Sequence, residues 1–322
     1  MILMKGQSIT IDFPLILCKY GDRGYRKNPC EAGCLPCVRC HARHLGRTKK
    51  LPNRMDAPLQ FSDYKTLAFE RRARVLQITL NRPDRLNAIN EVMHGELARV
   101  FTQASSDPES DVVVLTGAGR AFSAGGDIEW MQKMIDQPDS FEKTAREGRQ
   151  IIFSLLDCEK PVIAKLNGHV TGLGATMALF CDVIFAADTA QIGDPHVSVG
   201  LVAGDGGAVI WPQLVGYARA KEYLMTGKLM SAVEAERIGL INHVVPASEL
   251  HAQVRDFADQ LAAGATKAIR WSKMAVNIGL KQMAVTILDA SLAYEAMSNL
   301  TSDHQEAVNA FRQKRQPVFT GR

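Results

Sequence analysis

The pattern of apolar and polar positions changes period several times along this chain of 322 residues. Residues 75–80 alternate as a half-buried strand does, until Asn81-Arg82-Pro83 interrupts them. Between 90 and 104 the apolar positions Val92, Met93, Leu97, Val100 and Phe101 recur at helical spacing, which predicts an amphipathic helix. Residues 112–115 (VVVL) predict a buried strand that empties into Thr116-Gly117 and, past Phe122, into Ser123-Ala124-Gly125-Gly126-Asp127. Residues 128–134 and 141–156 then predict two helices, and 162–166 another strand. That strand breaks at Asn167-Gly168 and runs through Gly172-Leu173-Gly174 into the small apolar stretch 175–180, a buried helix entered through glycines. Farther on, a short strand is expected over 242–245 and helices over 250–263, 265–278, 281–297 and 302–313. Ser231 to Glu234 and Ser302 to Gln305 read as capping boxes opening two helices.

Two strand ends that meet helix starts through glycines are the feature with chemical content. The first amides of a helix have no partner within it, so each corner can present a free N–H. Two such donors from two corners could hold one developing oxyanion.

The ordered set Thr116-Gly117, Phe122 to Asp127, Ala164 to Gly174 and Leu224 to Gly227, with Asn81-Arg82-Pro83 and Leu86-Asn87-Ala88 upstream, resembles the crotonase (enoyl-CoA hydratase/isomerase) superfamily. The resemblance runs from Tyr64 to the C-terminus. It implies an α/β fold, a spiral of repeated strand-strand-helix turns over residues 55–248, with a helical region over 249–322 that builds trimers or dimers of trimers. It implies an acyl-CoA thioester as substrate, with CoA as part of the substrate and no separate cofactor. The thioester oxygen would be held by the amides of Gly126 and Leu173, although Leu173 replaces the usual glycine and crowds the pocket. CoA-binding positions would fall at Arg82, Arg85, Ala88, Ala124, Asp127, Ile128 and Lys314.

The family's two water-handling glutamates fall at Thr176 and His196, so neither is present. Losing a general acid or base removes about 10² to 10⁴ in rate, whereas the backbone hole is untouched. Asp205 follows His196 by nine residues, and the stretch DPHVSVGLVAGDGGAVIWP resembles 6-oxocamphor hydrolase, a crotonase relative that cleaves a carbon–carbon bond between carbonyls. That resemblance implies a catalytic pair in which Asp205 orients and charges His196, and His196 activates water with a free ring nitrogen facing the oxyanion hole. Asp205 as a plain helix cap and His196 as a loop residue are the alternative. His94, His169, His243, His251 and His304 carry no comparable partner signal. Cys158 and Cys181, in apolar runs without neighbouring bases, read as inert packing.

Three functions stay open on this evidence: hydration of an enoyl-CoA, ring-opening hydrolysis of a cyclic keto-acyl-CoA, and a silent CoA- or RNA-binding scaffold. Charge bears on the last. Residues 1–54 carry eleven Lys and Arg against three Asp and Glu, so the formal +4 of the whole chain leaves −4 on the remainder, which argues against a nucleic-acid partner. With 46% hydrophobic residues and no run long enough for a membrane span, the composition predicts a soluble, cytoplasmic protein.

Residues 1–54 resemble nothing in the family and hold five of the seven cysteines: Cys18, Cys30, Cys34, Cys37 and Cys40. The last four, with His41 and His44, have metal-ligand spacing, but no periodic scaffold surrounds them, so no metal is assigned. Disorder is expected, with Met55 as a natural starting point.

Overall fold

The computed structural model describes residues 60–322, so the expectations for the cysteine-rich segment lie outside the described residues. Among the described residues, ten strands form two sheets. The larger joins β1 (Leu67–Arg72), β2 (Val75–Leu80), β3 (Val112–Gly117), β5 (Val162–Leu166), β7 (Val183–Ala187) and β10 (His243–Val245) in that spatial order. Only β1–β2 is antiparallel there; every later pairing is parallel. The smaller sheet joins β4 (Ala121–Ser123), β6 (His169–Thr171), β8 (Gln191–Gly193) and β9 (Met230–Ser231).

Each of β3, β5 and β7 turns a corner into the small-sheet strand that follows it, and a helix then returns the chain. The helices are α2 (Ile128–Asp136) and α3 (Phe141–Asp157) after β4, α4 (Leu173–Leu179) after β6, and α5 (Gly207–Thr226) after β8. Three strand-strand-helix turns thus stack side by side. β3 is buried along its whole length, as parallel strands covered on both faces are. The main core lies between the large sheet and α1 (Glu91–Ser106), α3 and α4, with Phe101, Leu97, Ile151 and Leu115 fully enclosed. Truncating such a side chain to alanine costs about 2–5 kcal/mol.

The helix starts follow their capping chemistry. Asn90 accepts from the Met93 amide, Asp127 from Glu129 and Ser231 from Glu234, which opens α6 (Ala232–Arg237). At α9 (Ser302–Gln313) the expected cap shifts by one residue: Thr301, not Ser302, accepts from His304. Thr301 has the extended backbone a cap requires, so its hydroxyl meets the amide three residues on.

Beyond β10 the chain is helical: α7 (Leu250–Ala262), α8 (Thr266–Asn299) and α9. The two helices expected over 265–278 and 281–297 are one continuous helix of 34 residues. Gly279 in its interior costs about 1 kcal/mol relative to alanine. Burial of Ala284, Leu288 and Leu292, with α8 packed on α3 and α5, outweighs that cost. No helix among the described residues is long and apolar enough to cross a membrane.

Candidate active site

The parallel strands β4, β6 and β8 are adjacent, so their C-terminal ends open onto one edge of the small sheet. Three loops therefore lie next to one another: 124–126 after β4, 172–173 after β6, and Asp194-Pro195-His196 after β8. The first two are in contact, since a Cβ built on Gly172 would lie 3.4 Å from Gly125 Cα and 3.7 Å from His196 Cε1. Gly172 also has φ 55° and ψ −134°, a conformation open essentially to glycine alone. The turn is closed by that requirement.

The surrounding amides are used. Ala124 donates to Leu86, Asp127 to Ile89, Gly172 to Gly193, and Gly125 to the Ser123 hydroxyl. The amides of Gly126 and Leu173 have no partner among the described residues. Gly126 and Leu173 line the same small chamber.

The structure places His196 beside Asp205, with Nε2 3.4 Å from Oδ2. It also places Asp194 on the other ring nitrogen, where Nδ1 makes a very short contact with Oδ1. The expected free imidazole nitrogen is therefore absent: both nitrogens face carboxylates, and the Cε1 edge faces Gly172. The reason is local, because Pro195 begins a short helical turn over His196–Val199 that folds the ring back over Asp194. Burial alone would favour neutral His196, but the charges and hydrogen bonds of Asp194 and Asp205 outweigh it and raise its pKa well above the usual imidazole range. The charged form of His196 is thereby favoured. Burial likewise opposes the Asp205 carboxylate, yet the imidazolium, the Thr176 hydroxyl and the Gly207 amide hold its pKa below the usual range. Thr176 donates to Asp205 Oδ1 at 3.0 Å, so the residue at a family glutamate position anchors the aspartate.

Asp194, His196 and Asp205 offer ligand atoms within 4.8 Å of one another. Each carboxylate faces a different ring nitrogen, so the set suits contacts of each aspartate with the imidazole better than one shared cation.

Glu295 of α8 completes the cluster. Its carboxyl lines the chamber with His196, Asp205, Gly126 and Leu173, and Oε2 is buried without a partner. Burial first, then the negative charges of Asp205 and Asp194, push its pKa up to about 8 against the pull of His196. The folded protein thus binds this proton more tightly than the unfolded chain does. Its stabilising contribution is complete below about 4.5 and is lost as pH rises through about 8. Thermal unfolding of Glu295→Gln across this window should show a shallower loss of stability with rising pH than wild type; an identical slope would contradict the shifted pKa.

The chamber, of about 50 Å³, adjoins a cleft of about 520 Å³, and Gly126, Met131 and His196 line both. Arg85, Ala88, Ala124, Asp127 and Ile128 line the cleft, as does Arg120, which the sequence reading missed. Neither Arg85 nor Arg120 has a side-chain partner among the described residues. Arg82 does not line it: its guanidinium bonds the Ala88 carbonyl and the Asp127 carboxylate, so it braces the loop instead of facing a phosphate. Lys314 caps α9, exposed and outside the cleft lining, although Phe311 of that helix reaches it. Cys158 and Cys181 are buried, and burial raises both thiol pKa values, the condition of unreactive cysteines.

Asp194 and Glu295 also escaped the sequence reading, and His94, read there as without a partner, lines the chamber and pairs with Glu147. Asp194 had a readable signal, a carboxylate two residues from the candidate histidine. Glu295 lies some hundred residues away on a helix whose period marks only its core side.

Comparison with known proteins gives a consistent result. The family model described as "Enoyl-CoA hydratase/isomerase" matches residues 70–322. A probable enoyl-CoA hydratase of Mycobacterium bovis is 36% identical over 265 residues, covering 80% of this chain and 99% of that protein. The crystal structure of an enoyl-CoA hydratase/isomerase from Mycobacterium paratuberculosis is similar at TM-score 0.74 and 38% identity, over 77% of this chain and 99% of the other. A β-diketone hydrolase from the cyanobacterium Anabaena, bound to (S)-3-oxocyclohexyl acetic acid, is similar at TM-score 0.71 and 29% identity, over 76% and 98%.

Proposed function

The chain belongs to the enoyl-CoA hydratase/isomerase family and acts on acyl-CoA thioesters, and on that premise we propose that it hydrates an enoyl-CoA through His196, Asp194, Asp205 and Glu295 instead of paired glutamates. The observation that carries this reading is an imidazole held between two carboxylates, beside two amides that have no partner among the described residues.

The thioester oxygen accepts from Gly126 and Leu173 N–H. Ionised Glu295 takes a proton from water, the water oxygen bonds to the β-carbon, and the electron pair of the double bond moves to the thioester oxygen as an enolate. The enolate α-carbon then takes the proton that Glu295 holds, while His196, whose ring nitrogens both face carboxylates, sets its positive charge beside the enolate. A carboxyl pKa near the working pH is what general base catalysis favours. The two carboxylates keep the ring charged throughout.

Arg85 and Arg120, on the cleft wall, are suited to the CoA phosphates. Exposed apolar side chains along α8, including Trp271, Val276, Val285 and Met297, support a trimer or dimer of trimers. A cytoplasmic location completes the proposal.

Under this mechanism the rate with an enoyl-CoA rises with pH as Glu295 ionises, through about 8, and falls only where His196 loses its proton. Glu295→Gln should lose about 10² in kcat and lack the rising limb. A variant with the wild-type profile would remove Glu295 from the mechanism.

A second reading has a specific observation in its favour, the similarity to the Anabaena β-diketone hydrolase. In that chemistry Glu295 takes a proton from water as its oxygen adds to a ring ketone of a cyclic β-keto-acyl-CoA, the carbon–carbon bond breaks, and its electron pair becomes the same thioester enolate, protonated by Glu295. The local likeness of residues 194–212 to 6-oxocamphor hydrolase belongs with this reading.

A further inference from the structure

The inner chamber has a second imidazole that the mechanism above does not use. His94 lies on α1, is 2% exposed, and lines the chamber with Glu295, Trp130, Met134, Phe141 and Leu292. Its Nδ1 is 2.9 Å from Oε2 of Glu147 on α3, and its ring packs on Trp130 with centroids 5.0 Å apart. Two helices and an indole therefore fix the ring. A carboxylate on Nδ1 sets that nitrogen as the N–H donor, which directs the chemistry of the other nitrogen outward. Nε2 has no hydrogen-bond partner among the described residues and lies beside Gly148, another chamber-lining residue: a Cβ built there would sit 4.0 Å from it.

An unbranched alkyl tail would gain nothing from this arrangement. Filling the chamber with methylenes would bury Nε2 against carbon and leave it unsatisfied, and a buried polar atom without a partner is costly. The apolar walls suit a short carbon skeleton, and the one oriented nitrogen suits a single oxygen on it. We propose that His94, positioned by Glu147, is a specificity-determining residue whose Nε2 hydrogen-bonds an oxygen, hydroxyl or ketone, carried on the acyl group away from the thioester. The proposal rests on the acyl-CoA reading of the site, but not on which reaction follows. It makes the preferred substrates short oxygenated acyl-CoAs rather than plain fatty acyl-CoAs.

The test measures binding, which separates it from the reaction. Calorimetric titration with saturated pentanoyl-CoA and its 4-hydroxy and 4-oxo counterparts, and with hexanoyl-CoA and its 5-hydroxy and 5-oxo counterparts, reads the preference directly. Wild type should bind at least one oxygenated member about tenfold to hundredfold more tightly than its plain partner. The hydroxyl and ketone arms identify whether Nε2 accepts or donates. His94→Leu should abolish the ratio while retaining affinity for the plain acyl-CoA, and His94→Gln, which keeps a hydrogen-bonding group, should restore part of it. Glu147→Gln should lower the ratio with little change for the plain chain, a split that general loosening of the fold would not produce. Equal ratios in wild type and His94→Leu would overturn the proposal. Failure of every acyl-CoA to bind would overturn the acyl-CoA reading on which it rests, and the proposal with it.

Discussion

Replacing His196 with alanine should lower kcat on an enoyl-CoA by about 10² to 10⁴ while leaving acyl-CoA affinity within a few-fold of wild type. The split follows from what the ring does: it sets a positive charge beside the enolate, whose negative charge develops only after substrate is bound. Binding rests on the rest of the cleft wall and on the two backbone amides, which the substitution leaves in place. The expected loss includes a second term. Asp194 and Asp205 face the ring from opposite sides, and without the imidazolium they are two buried carboxylates with no cation between them. Removing one member of a buried charged set typically costs about 3–5 kcal/mol of stability. The variant should therefore be assayed below its own, lowered unfolding temperature, with stability measured alongside. Asp205→Asn gives the gentler comparison, because the amide keeps the shape of the site and removes one charge. It should lower the pKa of His196 and shift the falling limb of the pH–rate profile downward. Activity of His196→Ala equal to wild type would leave the backbone amides as the only device, suited at most to moving a double bond.

Gly172→Ala should lower kcat by about 10² to 10³ with a modest loss of stability. The added methyl would lie 3.4 Å from Gly125 Cα, and the backbone angles of Gly172 strain any residue with a side chain, at about 1–3 kcal/mol. Relief comes by rotating the turn, and the next amide along the chain is that of Leu173. One oxyanion donor would move while His196, Asp205 and Glu295 stay in place. A stable Gly172→Ala protein with unchanged kcat would mean that the Leu173 amide does not hold the oxygen.

Much of this was legible because period and capping are local properties. The run 112–115 alternates with nothing, as a strand buried on both faces does, and it lies at the centre of the large sheet. The glycine corners after β3 and β5 were readable for a physical reason, since tight turns and close backbone approach leave few other choices. What was not legible depended on distance or on competition between forces. Gly279 suggested a helix end, but packing on both sides of α8 overrode local propensity. Arg82 suggested a phosphate ligand, but an internal carboxylate, Asp127, and a carbonyl claimed it first. Glu295 and the His94–Glu147 pair reach the site only through tertiary packing of α1, α3 and α8, which no spacing along the chain encodes. The second carboxylate on His196 was two residues away in the sequence.

The most direct measurement of the central claim is turnover of a short enoyl-CoA in water labelled with both ¹⁸O and ²H, followed by mass spectrometry of the product. The account predicts a β-hydroxyacyl-CoA with one ¹⁸O on the β-carbon and one deuteron on the α-carbon, formed much more slowly by His196→Ala. An enoyl-CoA recovered with a shifted double bond and no ¹⁸O, or bound and unchanged, would contradict it.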